Sequence, residues 1–98
     1  LIALCKQFIA VQGEIDAAHA SVDTFEEEQR AEPIFMALYK SENTLFQQII
    51  KTPAVSIAGA RAKTKAMASW EREGLADDPD EFWNVRAYNS ILRDLLAV

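Results

Sequence analysis

Cysteine and histidine are almost missing from this chain: its 98 residues hold one of each, Cys5 and His19. A lone cysteine excludes an intrachain disulfide, and a secreted domain this small ordinarily needs several, so a reducing cytoplasm is the expected location. One Cys and one His also exclude a zinc cluster. With only three Gly and three Pro, the chain is neither collagenous nor of low complexity. Long hydrophobic runs are lacking too. The uncharged stretch Pro53 to Ala60 is among the longest and falls far short of the roughly 20 apolar residues that span a bilayer, so no membrane partner is expected. No basic-then-apolar leader is visible. The chain opens at Leu1 without an initiator Met, which leaves room for residues upstream, a leader among them. What is present suits one small folded unit, 1-98: half of the residues are hydrophobic and 26% are charged. Such a chain has material for one core and none for a second domain.

Positive charge is the scarcer sign, and the net charge is −5. Leu1 to Glu32 carries seven acids against Lys6 and Arg30, while Pro33 to Gly74 is net positive and Leu75 to Val98 net negative again. An acidic total disfavours a free-standing nucleic-acid binder, whose affinity rests largely on phosphate neutralisation.

Apolar spacing is most regular at the start. Leu1, Leu4, Phe8, Val11, Ile15, Ala18, Val22 and Phe25 follow one another at alternating intervals of 3 and 4, a heptad seam that predicts a first helix over 2–30. Gly13 falls on its outer face, a weakness of about 1 kcal/mol relative to Ala. A second helix is expected over 33–51, opening with Pro33 at its first position, where a missing amide costs nothing. Phe35, Leu38, Tyr39, Leu45, Phe46, Ile49 and Ile50 supply its apolar face. Thr52-Pro53 stops it, since the residue before Pro is pushed out of the helical region. A third helix over 57–72 follows Ser56 as N-cap, is rich in Ala, and ends at Gly74. Asp78 as N-cap, Pro79 at the first position and Glu81 at the third predict a fourth helix over 79–96, with the seam Val85, Tyr88, Leu92 and Leu95. No alternating run suggests a strand.

The expected fold is therefore all-α, a four-helix bundle with a long heptad-patterned first helix. At 1.5 Å per residue that helix would reach roughly 45 Å and overhang a compact globule whose radius of gyration is near 13 Å. Either the helix bends at Gly13, or the protein is elongated, or another chain covers the seam. The order of an acidic heptad helix, a second apolar helix, the Thr52 to Lys63 element TPAVSIAGARAK, an Asp77-Asp78-Pro79 turn and the closing Ile91-Leu92-Arg93-Asp94-Leu95-Leu96 resembles small uncharacterised helical proteins of alphaproteobacteria and their prophages. That resemblance implies a helical fold and a bacterial origin, and it brings no functional residues.

Candidate sites each face a plainer reading. Asp16, His19 and Asp23 share one helix face and would offer one nitrogen and two oxygens. A single His makes a poor transition-metal site, and a surface His paired with carboxylates is the stronger reading, so no metal is expected. Lys51, Arg61, Lys63 and Lys65 gather four of the ten basic residues within fifteen positions. They are the candidate nucleic-acid contacts if the third helix is a recognition helix, and otherwise a solvated basic face answering the acidic first helix. Cys5 reads as a small buried hydrophobe. Trp70 and Trp83 flank the 74–79 turn and are expected to pack there or to anchor a partner. Nothing in the order or spacing of the residues supports an enzyme or a cofactor site. The favoured function is a helical protein-protein interaction or structural module, self-associating as a dimer through the first-helix seam or binding another protein, and encoded on a mobile element. The alternative is a nucleic-acid-associated regulator using the basic third helix.

Overall fold

The computed structural model describes residues 1–70 and 75–97, with the side chain of Trp70 outside the description. It is all-helical, with four helices in the order α1 (Ile2–Ala20), α2 (Phe25–Lys51), α3 (Ile57–Trp70) and α4 (Trp83–Ala97), and no strand among the described residues. The expectation of a helix over 2–30 is corrected: the chain turns at 21–24, so that its residues divide between α1 and α2. The cause is local. Ser21 Oγ donates to the Ala18 carbonyl at 2.8 Å, closing α1. Thr24, in an extended conformation, accepts from the Glu27 amide at 3.1 Å, while Glu27 Oε2 accepts from the Asp23 amide at 3.0 Å. This reciprocal pair is a close variant of the capping box, and Glu26, Glu27 and Glu28 add negative charge at the positive end of the α2 dipole.

Pro33 accordingly lies inside α2 and not at its first position, a second correction. Its ring supplies no amide for the carbonyl four residues back, a defect that 27 residues of continuous helix absorb. The stop at Thr52 is as expected: its amide donates to the Ile49 carbonyl and its hydroxyl to Gln48 O. So is the start of α3, where Ser56 Oγ accepts from the Gly59 amide at 3.0 Å. The expected C-cap, Gly74, lies outside the described residues.

The four-residue connection lays α1 and α2 side by side, and α3 packs against α1. The core sits where the three meet: Cys5 and Phe8 from α1, Ile49 from α2 and Ala66 from α3 are buried, with Leu1, Leu4, Ile9, Leu45, Phe46, Ala62 and Met67 packed around them. Burying a side chain such as Phe8 or Ile49 contributes roughly 1.5–3 kcal/mol each. Ala66 lets α3 approach closely, and Thr64, also buried, gives its hydroxyl proton to the Ala60 carbonyl. Ile15 and Phe35 close the far end of the α1–α2 pair. α4 packs on α3.

Candidate functional site

α4 begins four residues later than expected, at Trp83, because Asp78 caps a turn and not a helix. Asp78 Oδ1 accepts from the Asp80 amide at 2.9 Å, and the Glu81 amide donates to the Asp78 carbonyl at 3.0 Å. This is the Asx geometry to which aspartate is prone. Phe82 takes the N-cap position, its carbonyl accepting from the Arg86 amide. The turn is tied back to the helix by a fork: Arg86 Nε and Nη2 donate to the two Asp77 oxygens at 2.7 and 2.8 Å, and Arg93 donates to the Leu75 carbonyl. The Arg86 guanidinium holds the Asp77 carboxyl below the usual carboxylate range, first through the hydrogen bonds and then through its charge.

So anchored, α4 presents one broad apolar face, part covered and part open. Of the expected seam, Val85, Leu92 and Leu95 are half-buried, as is Leu96, which shares a hollow with Ala58 and Ala62 of α3. Tyr88 and Ile91, one turn apart on the open part, are 60% and 64% exposed. Trp83 is 87% exposed, so the expectation that it packs under the turn is overturned. With Arg86, Ala87, Ser90 and Arg93 it lines an open hollow of about 430 Å³. No residue of α4 is buried.

The predicted seam lies differently. Phe8 and Ile15 are buried within the single chain, and Leu1, Leu4, Val11, Ala18 and Val22 are half-buried. Phe25 starts α2 and is 72% exposed. Of the basic group, Lys63 Nζ donates to the Thr52 carbonyl at 2.7 Å and so staples α3 to the end of α2, while Lys51, Arg61 and Lys65 stay exposed. Cys5 is buried, and that burial pushes its thiol up from the ordinary value.

Sequence reasoning placed His19 with Asp16 and Asp23, whereas the structure places it against α2. Its ring stacks on Phe35 at 4.5 Å between centroids, and its Nε2 lies 2.9 Å from the Tyr39 hydroxyl. No group of three metal-ligating side chains forms among the described residues. Around His19, the residues Phe25, Glu28, Glu32, Phe35 and Tyr39 line a groove of about 460 Å³. The spacing of these α2 residues carried the signal, but it was legible only once α2 was known to begin at Phe25.

No family model, no curated protein and no solved structure matches this chain.

Proposed function

We propose that this protein is a non-catalytic helical interaction module of the reducing cytoplasm that self-associates through the outer side of α4. The observation that carries the reading is the contrast on α4 itself, where Tyr88 and Ile91 stand 60% and 64% exposed while the chain has buried comparable residues elsewhere. Large apolar side chains grouped on one helix face mark association surfaces. A radius of gyration of 15.7 Å and extents of 44 × 32 × 19 Å support the same reading, since about 13 Å is usual for 100 residues in a compact unit. An α4 lying against a second α4 would shield both stripes, and two-fold pairing of identical faces is the commonest oligomer geometry. The first-helix seam is a weaker candidate for that contact, because Phe8 and Ile15 already fill the intrachain core.

Light scattering over a range of concentrations tests this. The wild-type mass is expected to rise from 11 kDa toward twice that value at high micromolar concentration. Tyr88→Glu with Ile91→Glu is expected to hold the mass at the monomer value with the helical circular dichroism unchanged, whereas Ile15→Glu is expected to unfold the chain. A dimer that survives the α4 changes would overturn the reading. So would a chain that stays monomeric throughout but is retained on heparin through Lys51, Arg61 and Lys65, which is the nucleic-acid alternative.

A further inference from the structure

We infer that the groove between the C-terminal end of α1 and the N-terminal half of α2 is a receptor for an arginine carried on an extended segment of a partner protein. This goes beyond self-association and uses a different part of the surface, lined by α1 and α2 alone. The floor is aromatic and held in place. Phe35 is buried as its base, His19 stacks on it, and the Tyr39 ring lies 6.3 Å from the Phe35 ring and is tied to His19 at 2.9 Å, so that the exposed rings are those of His19, Tyr39 and Phe25. Ring faces attract a cation that has shed its water, and a planar guanidinium stacks on them better than an ammonium does.

The rim is acidic and unsatisfied. Glu28 and Glu32 both line the groove, and among the described residues neither carboxylate has a hydrogen-bond or ion-pair partner. Lying at i, i+4 on one helix, they repel each other, and a cation between them would relieve that repulsion. Glu27 does not compete, because its carboxylate is engaged with the Asp23 amide. Arg30, the nearest basic residue in sequence, is 200° around the helix from Glu28 at 100° per residue and so lies on the far side of α2 from the groove. Charge complementarity therefore selects a positive occupant, and the forked geometry of Arg suits a pair of carboxylates.

The length of the surface selects a chain over a small cation. Phe25 and Met36, 72% and 64% exposed, are the most exposed apolar side chains of the lining. Eleven residues of helix separate them by about 16 Å at 1.5 Å per residue, the span of about five residues of extended peptide. A lone quaternary ammonium could not cover both.

The experiment is an NMR titration of the full chain with a blocked five-residue peptide, Leu-Ala-Arg-Ala-Leu, against two controls: the same peptide with neutral citrulline for Arg, and tetramethylammonium chloride. The Arg peptide is expected to shift the resonances of His19, Phe35 and Tyr39, and citrulline is expected to weaken binding about tenfold or more, the loss of one charge-assisted contact of roughly 1.4 kcal/mol. Glu28→Gln with Glu32→Gln is expected to weaken it by a similar factor while leaving the melting midpoint and the light-scattering mass as in wild type. Loss of peptide binding with the dimer intact, or of the dimer with peptide binding intact, separates this site from the α4 contact. Equal binding of the citrulline peptide, tetramethylammonium binding as tightly as the peptide, shifts confined to α4, or no shift at millimolar peptide would each overturn the assignment.

Discussion

α1 and α4 carry apolar residues at the same 3 and 4 spacing, yet α1 buries Cys5, Phe8 and Ile15 and α4 buries none of its residues. The shared spacing alone does not foretell this. α4 has the sharper division between apolar and polar sides, whereas the polar residues of α1, Lys6, Gln7, Gln12, Glu14, Asp16 and His19, are scattered around the helix. The difference lies in neighbours. α1 is joined to α2 by a four-residue turn and is covered by α3 as well, so it is flanked by two helices, a position that suits a helix whose apolar residues are not confined to one side. α4 arrives last, packs on α3, and keeps Tyr88 and Ile91 of its apolar face in solvent. An amphipathic stripe states that a helix needs cover, and the order of connection decides whether its own chain supplies it.

Truncation tests that contrast most forcefully. Phe8→Ala is expected to cost about 3–5 kcal/mol in urea unfolding, because it removes transfer energy and leaves a cavity in a close-packed site. Tyr88→Ala, measured dilute, is expected to change stability by about 0.5 kcal/mol or less, as for an exposed position. Comparable losses at the two sites would mean that α4 is covered after all.

Smaller changes sharpen the account of why α1 and α2 are separate. Thr24→Ala is expected to lower stability by about 1 kcal/mol, since the Glu27 amide loses its cap. An unchanged midpoint would remove Thr24 as the cause of the break. Gly13→Ala is expected to act in the other direction. A methyl group there meets nothing within 4 Å, so Ala should stabilise α1 by about 0.5–1 kcal/mol through helix propensity alone. A loss would place Gly13 at a contact.

The smallest effect concerns the anchor of α4. Because Arg86 depresses the Asp77 carboxyl, the folded state releases that proton more readily than the unfolded chain. The pair therefore favours folding above the ordinary aspartate pKa, and its contribution disappears as pH falls through the lowered folded value. Asp77→Asn should flatten that acid limb slightly in a pH series of melting midpoints, and added salt should shrink the difference, since the pair is solvent-exposed. An unaltered acid limb would detach Asp77 from the hold on α4.

Much of this fold is legible from residues that act locally. Thr52-Pro53 ends a helix and Ser56 starts one because backbone sterics and capping are settled within a few positions. The heptad spacing of Leu1 to Phe25 misled for an instructive reason: the seam runs unbroken through a turn, because Val22 and Phe25 keep the register by chance of spacing while Ser21 and Thr24 terminate and restart the helix. Capping signals outrank periodicity there, and Thr24 with Glu27 was the readable one. At Asp78 the same residue type fits both an N-cap and an Asx turn, and the fork between Asp77 and Arg86, nine residues apart, favours the turn. The aromatic groove was not legible, since His19 meets Phe35 and Tyr39 only after the chain reverses at 21–24.

Amide hydrogen exchange followed by mass spectrometry at rising protein concentration tests the central claim most directly, because it reads the two regions in one sample. Exchange in α4, over 85–95, is expected to be the fastest among the four helices at low micromolar concentration and to slow as the concentration reaches the high micromolar range, while the segments around Phe8 and Ile49 remain equally protected throughout. An α4 as protected as α1 in dilute solution, with no dependence on concentration, would contradict both the uncovered stripe and the self-association built on it.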